Sequence, residues 1–108
     1  NENIKIGHGE IRFDYLSKEE FFMNKPFVGF NNTEKDFQRQ GYGINRLKVM
    51  NALSYMFFNL PLNSDNTITP IAKSVLKKLE KNNEVKPYSY NKYYSGKRIK
   101  INRFVFVV

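Results

Sequence analysis

The chain has 108 residues, 41% hydrophobic and 16% aromatic, which excludes a disordered polymer and supplies one core but not two. It has no cysteine, no tryptophan and one histidine, so disulfide frameworks, thiolate sites and His-based metal clusters are excluded. The formal charge of +8, with a pI of about 9.7, favours anionic partners, although the abundance of Lys and Asn also fits the drift of AT-rich coding sequence.

In chain order, Ile4 and Ile6 followed by Gly7-His8-Gly9 predict a short strand and turn. The alternation of Ile11, Phe13 and Tyr15 over 10–16 predicts the second strand of a hairpin. Phe21-Phe22-Met23 and Phe27-Val28-Gly29-Phe30 continue the β-type composition across a break at Asn24-Lys25-Pro26. From Ile44 to Asn59, Leu47, Met50, Leu53 and Phe57 recur at helical spacing, and Val49 and Met56 widen the stripe, so a largely buried helix is expected. Residues 60–64 read as a short strand or extended link. Thr69-Pro70 supplies an N-cap with proline at the first helical position, and Ala72, Val75, Leu76 and Leu79 form the apolar face of a second helix over Lys73, Lys77 and Lys78. Two strands, 85–93 and 98–108, are joined by a turn at Ser95-Gly96. No repeat or linker divides the chain, so residues 1–108 are expected to form one domain. No apolar run approaches membrane-spanning length, and residues 1–16 lack the apolar centre of a signal peptide, so a cytoplasmic protein without membrane contact is expected.

The segment from Phe37 to Ile44 is the one most suited to hold a ligand. Glycines let the backbone turn tightly and approach a ligand where a Cβ would obstruct it. The first N–H groups of the following helix lack intrahelical partners and carry the positive end of its dipole, which suits an anion, and Arg39 adds a full charge.

Gln38-Arg39-Gln40-Gly41-Tyr42-Gly43 resembles motif A of the GNAT N-acetyltransferase superfamily: Gln or Arg, two variable residues, Gly, one variable residue, then Gly or Ala. Asp36-Phe37 is similar to the acidic-aromatic pair that often precedes it. The resemblance implies an α/β (α+β) fold with a mixed, mostly antiparallel sheet and two main helices. It also implies acetyl-CoA, with its pyrophosphate on the amides of Gln38, Arg39, Gln40, Gly41, Tyr42, Gly43 and Ile44. The acetyl-thioester arm would then lie along the opened strand edge at Phe30, Asn31 and Thr33. The implied activity is acetyl transfer to an amine, whether of a small molecule, a lysine or a protein N-terminus.

The chain departs from the family in two places. A tyrosine that often serves as general acid falls at Leu76 in Ala72-Lys73-Ser74-Val75-Leu76-Lys77-Lys78-Leu79, which leaves Tyr55, Tyr88 or Tyr90 for that role. Glu34, Asp36, Glu10 and Asp14 are the candidate bases, and Glu34 with Tyr88 is the expected catalytic pair. The helices that usually precede Glu10 are not recognisable, which leaves three readings: a naturally minimal, N-terminally reduced transferase of phage type, located in the host cytoplasm or virion; a processed or truncated chain; or the fold reused for binding. A homodimer or another partner would complete the acceptor groove. Two other classes compete: an inactive structural or inhibitory protein with this fold, and a nucleic-acid-binding module. The latter would use Lys97, Arg98 and Lys100 among the tyrosines of the last hairpin, whose plainer reading is half-buried tyrosines and outward lysines.

Overall fold

The computed structural model describes residues 4–13, 25–65 and 68–107, apart from the side chains of Lys92 and Tyr94. Asp14, Tyr15, the Phe21-Phe22-Met23 run and Asn24 lie outside them. The fold is a small mixed α/β arrangement: β1 (Gly7–Arg12), β2 (Phe27–Thr33), α1 (Tyr42–Phe58), α2 (Pro70–Lys81), β3 (Val85–Tyr94) and β4 (Lys97–Phe106). β1 pairs antiparallel with β2, and β3 with β4.

The two ladders are stitched through Asn63, which bridges Phe27 in parallel and Val105 antiparallel. Four backbone bonds make the stitch. Asn63 N–H donates to Pro26 and receives Val28 N–H on its carbonyl, both at 2.9 Å; Ser64 N–H donates to Phe104 at 2.8 Å, and Phe106 N–H to Leu62 at 3.1 Å. The spatial order is therefore β1, β2, residues 62–64, β4, β3. α1 is the crossover between β2 and its parallel neighbour at 62–64. Two antiparallel steps further on, β3 runs parallel to 62–64, with α2 as the crossover.

Local chemistry explains the elements. At α2, the Thr69 hydroxyl accepts Ala72 N–H at 3.2 Å and Pro70 sits where its missing N–H costs nothing. α1 ends on Asn59 in the left-handed conformation (φ 55°), whose N–H returns to Tyr55. Ser95 and Gly96 (φ 51° and 75°) form a two-residue turn of the hand that suits strand twist. The core joins Leu47 and Met50 of α1, Leu76 and Leu79 of α2, and Leu62, Val85, Phe104 and Phe106 of the sheet.

Two expectations are corrected. Gly7-His8-Gly9 is not a turn: it lies within β1, which pairs with β2 across the sheet. α1 is not largely buried. Leu47, Met50 and Ser54 face inward, whereas Val49, Met56 and Phe57 are 58%, 77% and 72% exposed. Val49 and Met56 stand on the side of α1 opposite Leu47, and one narrow sheet covers only one side of a helix.

Polar side chains of α1 also hold the stitch. Asn51 accepts Leu62 N–H at 3.0 Å, and the buried Ser54 hydroxyl donates to Leu60 O at 2.7 Å. The Asn63 carboxamide, 1% exposed, donates to Pro26 O and Pro61 O, each at 3.2 Å, and accepts the Tyr88 hydroxyl at 2.6 Å. Asn63→Ala is expected to cost about 2–4 kcal/mol, because it orphans buried partners as well as losing bonds. Met56→Ala should stay within about 0.5 kcal/mol. Urea unfolding of both variants checks the contrast.

Candidate functional site

Beyond Asn63 the parallel pairing stops, and β2 and residues 64–65 part. The bulge in β2 stands at this point: Gly29 is an extra residue, since Glu10 faces Phe30 while Ile11 faces Val28, and such a bulge bends its strand. At the other end of the bridge, away from the gap, Pro61 has no N–H with which to extend the ladder. The gap is an open cavity of about 1280 Å³. One wall is β2 from Val28 to Thr33, the floor is Ile44 and Leu47, and the opposite wall is Ser64, Asp65, Ile68 and the first turns of α2.

The glycine loop forms its rim. A 3-10 turn at Lys35–Phe37 leads to Gln38, whose side-chain amide donates to Thr33 O at 3.1 Å and fastens the loop to the end of β2. Arg39 and Gly41 take positive φ (64° and 85°), and Gly41 is the N-cap of α1 with no side chain capping the helix. The N–H groups of Tyr42, Gly43 and Ile44 thus open a helix with no acidic residue in its first turn. A Cβ at Gly41 would meet nothing within 4 Å, so glycine is needed there for its backbone conformation. At Gly43 a Cβ would stand 3.8 Å from Asn31 Nδ2 and Thr33 Oγ1, so alanine also fits.

A polar clamp fixes the helix against the strand. Asn31 Nδ2 donates to Gly43 O at 3.0 Å, and Arg46 Nη1 donates to Asn31 Oδ1 at 2.8 Å and Thr33 Oγ1 at 3.1 Å. Phe30 stays 38% exposed, edge-on to His8 at 4.8 Å.

Of the residues assigned to the cofactor from sequence, Phe30, Asn31, Thr33, Gln38, Arg39, Gly41, Tyr42, Gly43 and Ile44 all line this cavity. Gln40 does not; its side chain turns back to Asp36 O at 3.5 Å. Glu34 and Tyr88 are not brought together there. Glu34 is exposed and 3.8 Å from Lys5, and Tyr88 bonds Asn63 in a separate shallow cleft. Tyr55 has a buried hydroxyl without a partner among the described residues, and Tyr90 accepts Arg103 Nε at 3.1 Å; neither lines the cavity. Leu76 lines the cavity from the core, 7% exposed. Among the described residues Asp65 is the cavity's carboxylate, and Tyr42 its tyrosine. Asp65 carries no local sequence signal; a carboxylate just after a short strand reads as an ordinary loop residue.

Searches against protein-family models, curated proteins and solved structures returned no match.

Burial raises the Tyr88 pKa above its ordinary 10.0, an effect that the Arg103 charge partly offsets. With the folded value above the unfolded one, the unionised hydroxyl's stabilisation is full below pH 10 and is lost as pH rises through the folded value. Tyr88→Phe is expected to flatten the alkaline fall in stability while lowering stability at neutral pH, because Asn63 Oδ1 loses its donor. Unfolding free energies measured from pH 8 to 11.5 check both signs.

Proposed function

We propose that this chain binds acetyl-CoA in the cavity between β2 and α2 and transfers its acetyl group to an amine. The observation that carries the reading is the coincidence of the loop and the cavity: the residues resembling motif A stand at the rim of the gap where β2 leaves its parallel neighbour. The order strand, glycine loop, helix, short strand, helix, antiparallel pair agrees with what the resemblance implies. The gap exceeds the roughly 300–1,000 Å³ of ordinary small-molecule sites, as a long ligand needs.

The residues present fit such a group. The uncapped N-terminus at Gly41, the Tyr42 and Gly43 amides and the Arg39 guanidinium supply donors and positive charge for a pyrophosphate. Phe30, Asn31 and Thr33 line the gap along β2, and the edge at Asn31 is the stretch beside which an amide-bearing arm would run. Acetyl-CoA bound there brings a thioester, an acyl donor to an amine. Asp65 lines the same space and in this reading is the general base that takes the proton of the attacking amine. Leu76 cannot donate a proton, and Tyr42, the cavity's described tyrosine, stands with the glycine loop at the pyrophosphate end.

Calorimetry with CoA is expected to give a one-site isotherm. Gly41→Glu should abolish it, and Arg39→Gln should weaken it by about 1–2 kcal/mol, a factor of 5–30. Folded protein that gives no heat with millimolar CoA would sink the reading. Asp65→Asn should leave CoA affinity unchanged and lower thiol release with amine acceptors by about 10²–10⁴. CoA binding without thiol release from any amine would favour the inactive-scaffold reading, which the leucine at position 76 supports because it cannot donate a proton.

A further inference from the structure

The last hairpin is more than a lid on the core. Its ten-residue strands register Val85 with Phe106 at the base and Tyr94 with Lys97 at the tip. Directly paired residues share a face, and successive residues alternate between faces. On the face that carries Val85, Phe106, Pro87 and Phe104, all but the exposed Pro87 pack into the core at the base. Further out, the same face carries Ser89 with Asn102, Asn91 with Lys100, and Tyr93 with Arg98, all exposed. Tyr93 is 66% exposed, so it departs from the picture of half-buried tyrosines, which holds for Tyr88 and Tyr90 nearer the base.

α2 flanks this face. Lys77 Nζ stands 5.8 Å from the centre of the Phe104 ring, and Lys73 and Lys77 line a cleft of about 420 Å³ against Pro87, Ser89, Asn102 and Phe104. A basic stripe therefore runs from Lys73 and Lys77 past Asn102 to Lys100, Arg98 and Tyr93. Residues 85–108 contain no acid, and the carboxylate near the stripe on α2 is Glu80, 3.8 Å from Lys77. Lys97, paired with Tyr94, falls on the opposite face. The sequence grouping of Lys97 with Arg98 and Lys100 is thus divided by the register.

We propose that this corner between α2 and the outer face of the hairpin binds single-stranded nucleic acid, independently of the acetyl-CoA reading. The Arg98 to Phe104 stretch covers about 20 Å at ~3.3 Å per residue. That length accommodates a short single-strand site, on the order of four nucleotides or more. Lys73, Lys77, Lys100 and Arg98 meet phosphates along it, and the exposed Tyr93 ring gives a base a surface to stack on. A duplex presents its bases already stacked and has no use for Tyr93.

Fluorescence anisotropy with a labelled 12-residue oligothymidine tests this, using the full chain, a 12-base-pair duplex for comparison and inorganic polyphosphate as competitor. Single-strand binding should weaken with salt at a logarithmic slope of about −0.7 per phosphate engaged. Arg98→Gln and Lys100→Gln together should lower affinity about tenfold or more and make that slope shallower by about 1.4. Lys97→Gln removes the same charge as either single change but should alter affinity less than about twofold, because it faces away. Tyr93→Leu should lower oligonucleotide affinity about fivefold while leaving competition by polyphosphate unchanged. These substitutions lie on the exposed outer hairpin, and thermal melts confirm that each variant is folded. The proposal is overturned by absence of binding, by equal losses from Lys97→Gln and Arg98→Gln, or by tighter binding of the duplex.

Discussion

The buried carboxamide of Asn63 meets Pro26, Pro61 and Tyr88 at once, while its backbone joins β2 on one side and residues 62–64 pair with β4 on the other. An amide taken out of water without partners is costly, so this position stays polar and buried only because its side-chain bonds are satisfied. One residue thus makes two hairpin-like ladders into a single sheet. The stitch is also short. Pro61 cannot extend it at one end, and at the other the bulge at Gly29 bends β2, where the strands part beside the glycine loop and the start of α2.

From that divergence the rest of the site follows. A continuous parallel ladder would fill the space between β2 and 62–64 with backbone hydrogen bonds and leave no edge for a ligand. Here the edge beyond Val28 faces a cavity, and the uncapped N-terminus of α1 stands at its rim. The Asn31, Thr33 and Arg46 clamp keeps that N-terminus against the strand. Charge, donors and space are gathered in one place by elements that individually look ordinary.

Much of this was legible in the sequence because local chemistry decides it. Thr69-Pro70 sets the start of α2, Ser95-Gly96 sets the hairpin turn, and Gln38 to Ile44 sets the loop before α1. Other features escaped because they depend on partners far along the chain. The glycines at 7 and 9 read as a turn, but the pairing of β1 with β2 draws them into a strand. Val49 and Met56 read as core by periodicity, yet burial depends on how much sheet lies against the helix, which a single helix pattern does not encode. Asp65 reaches the cavity only through the path of residues 62–65, so nothing near it marked it out. Conversely, Tyr88 seemed free to act, but its hydroxyl is committed to Asn63.

The most direct test of the account is a residue-by-residue map of where CoA touches the folded chain, by ¹⁵N–¹H correlation spectra recorded during titration. The account requires the largest shifts at the amides of 30–33 and 38–44 and at Ser64 and Asp65, with the outer hairpin unmoved. Shifts centred on residues 91–100, or no saturable shifts along the glycine loop, would contradict it.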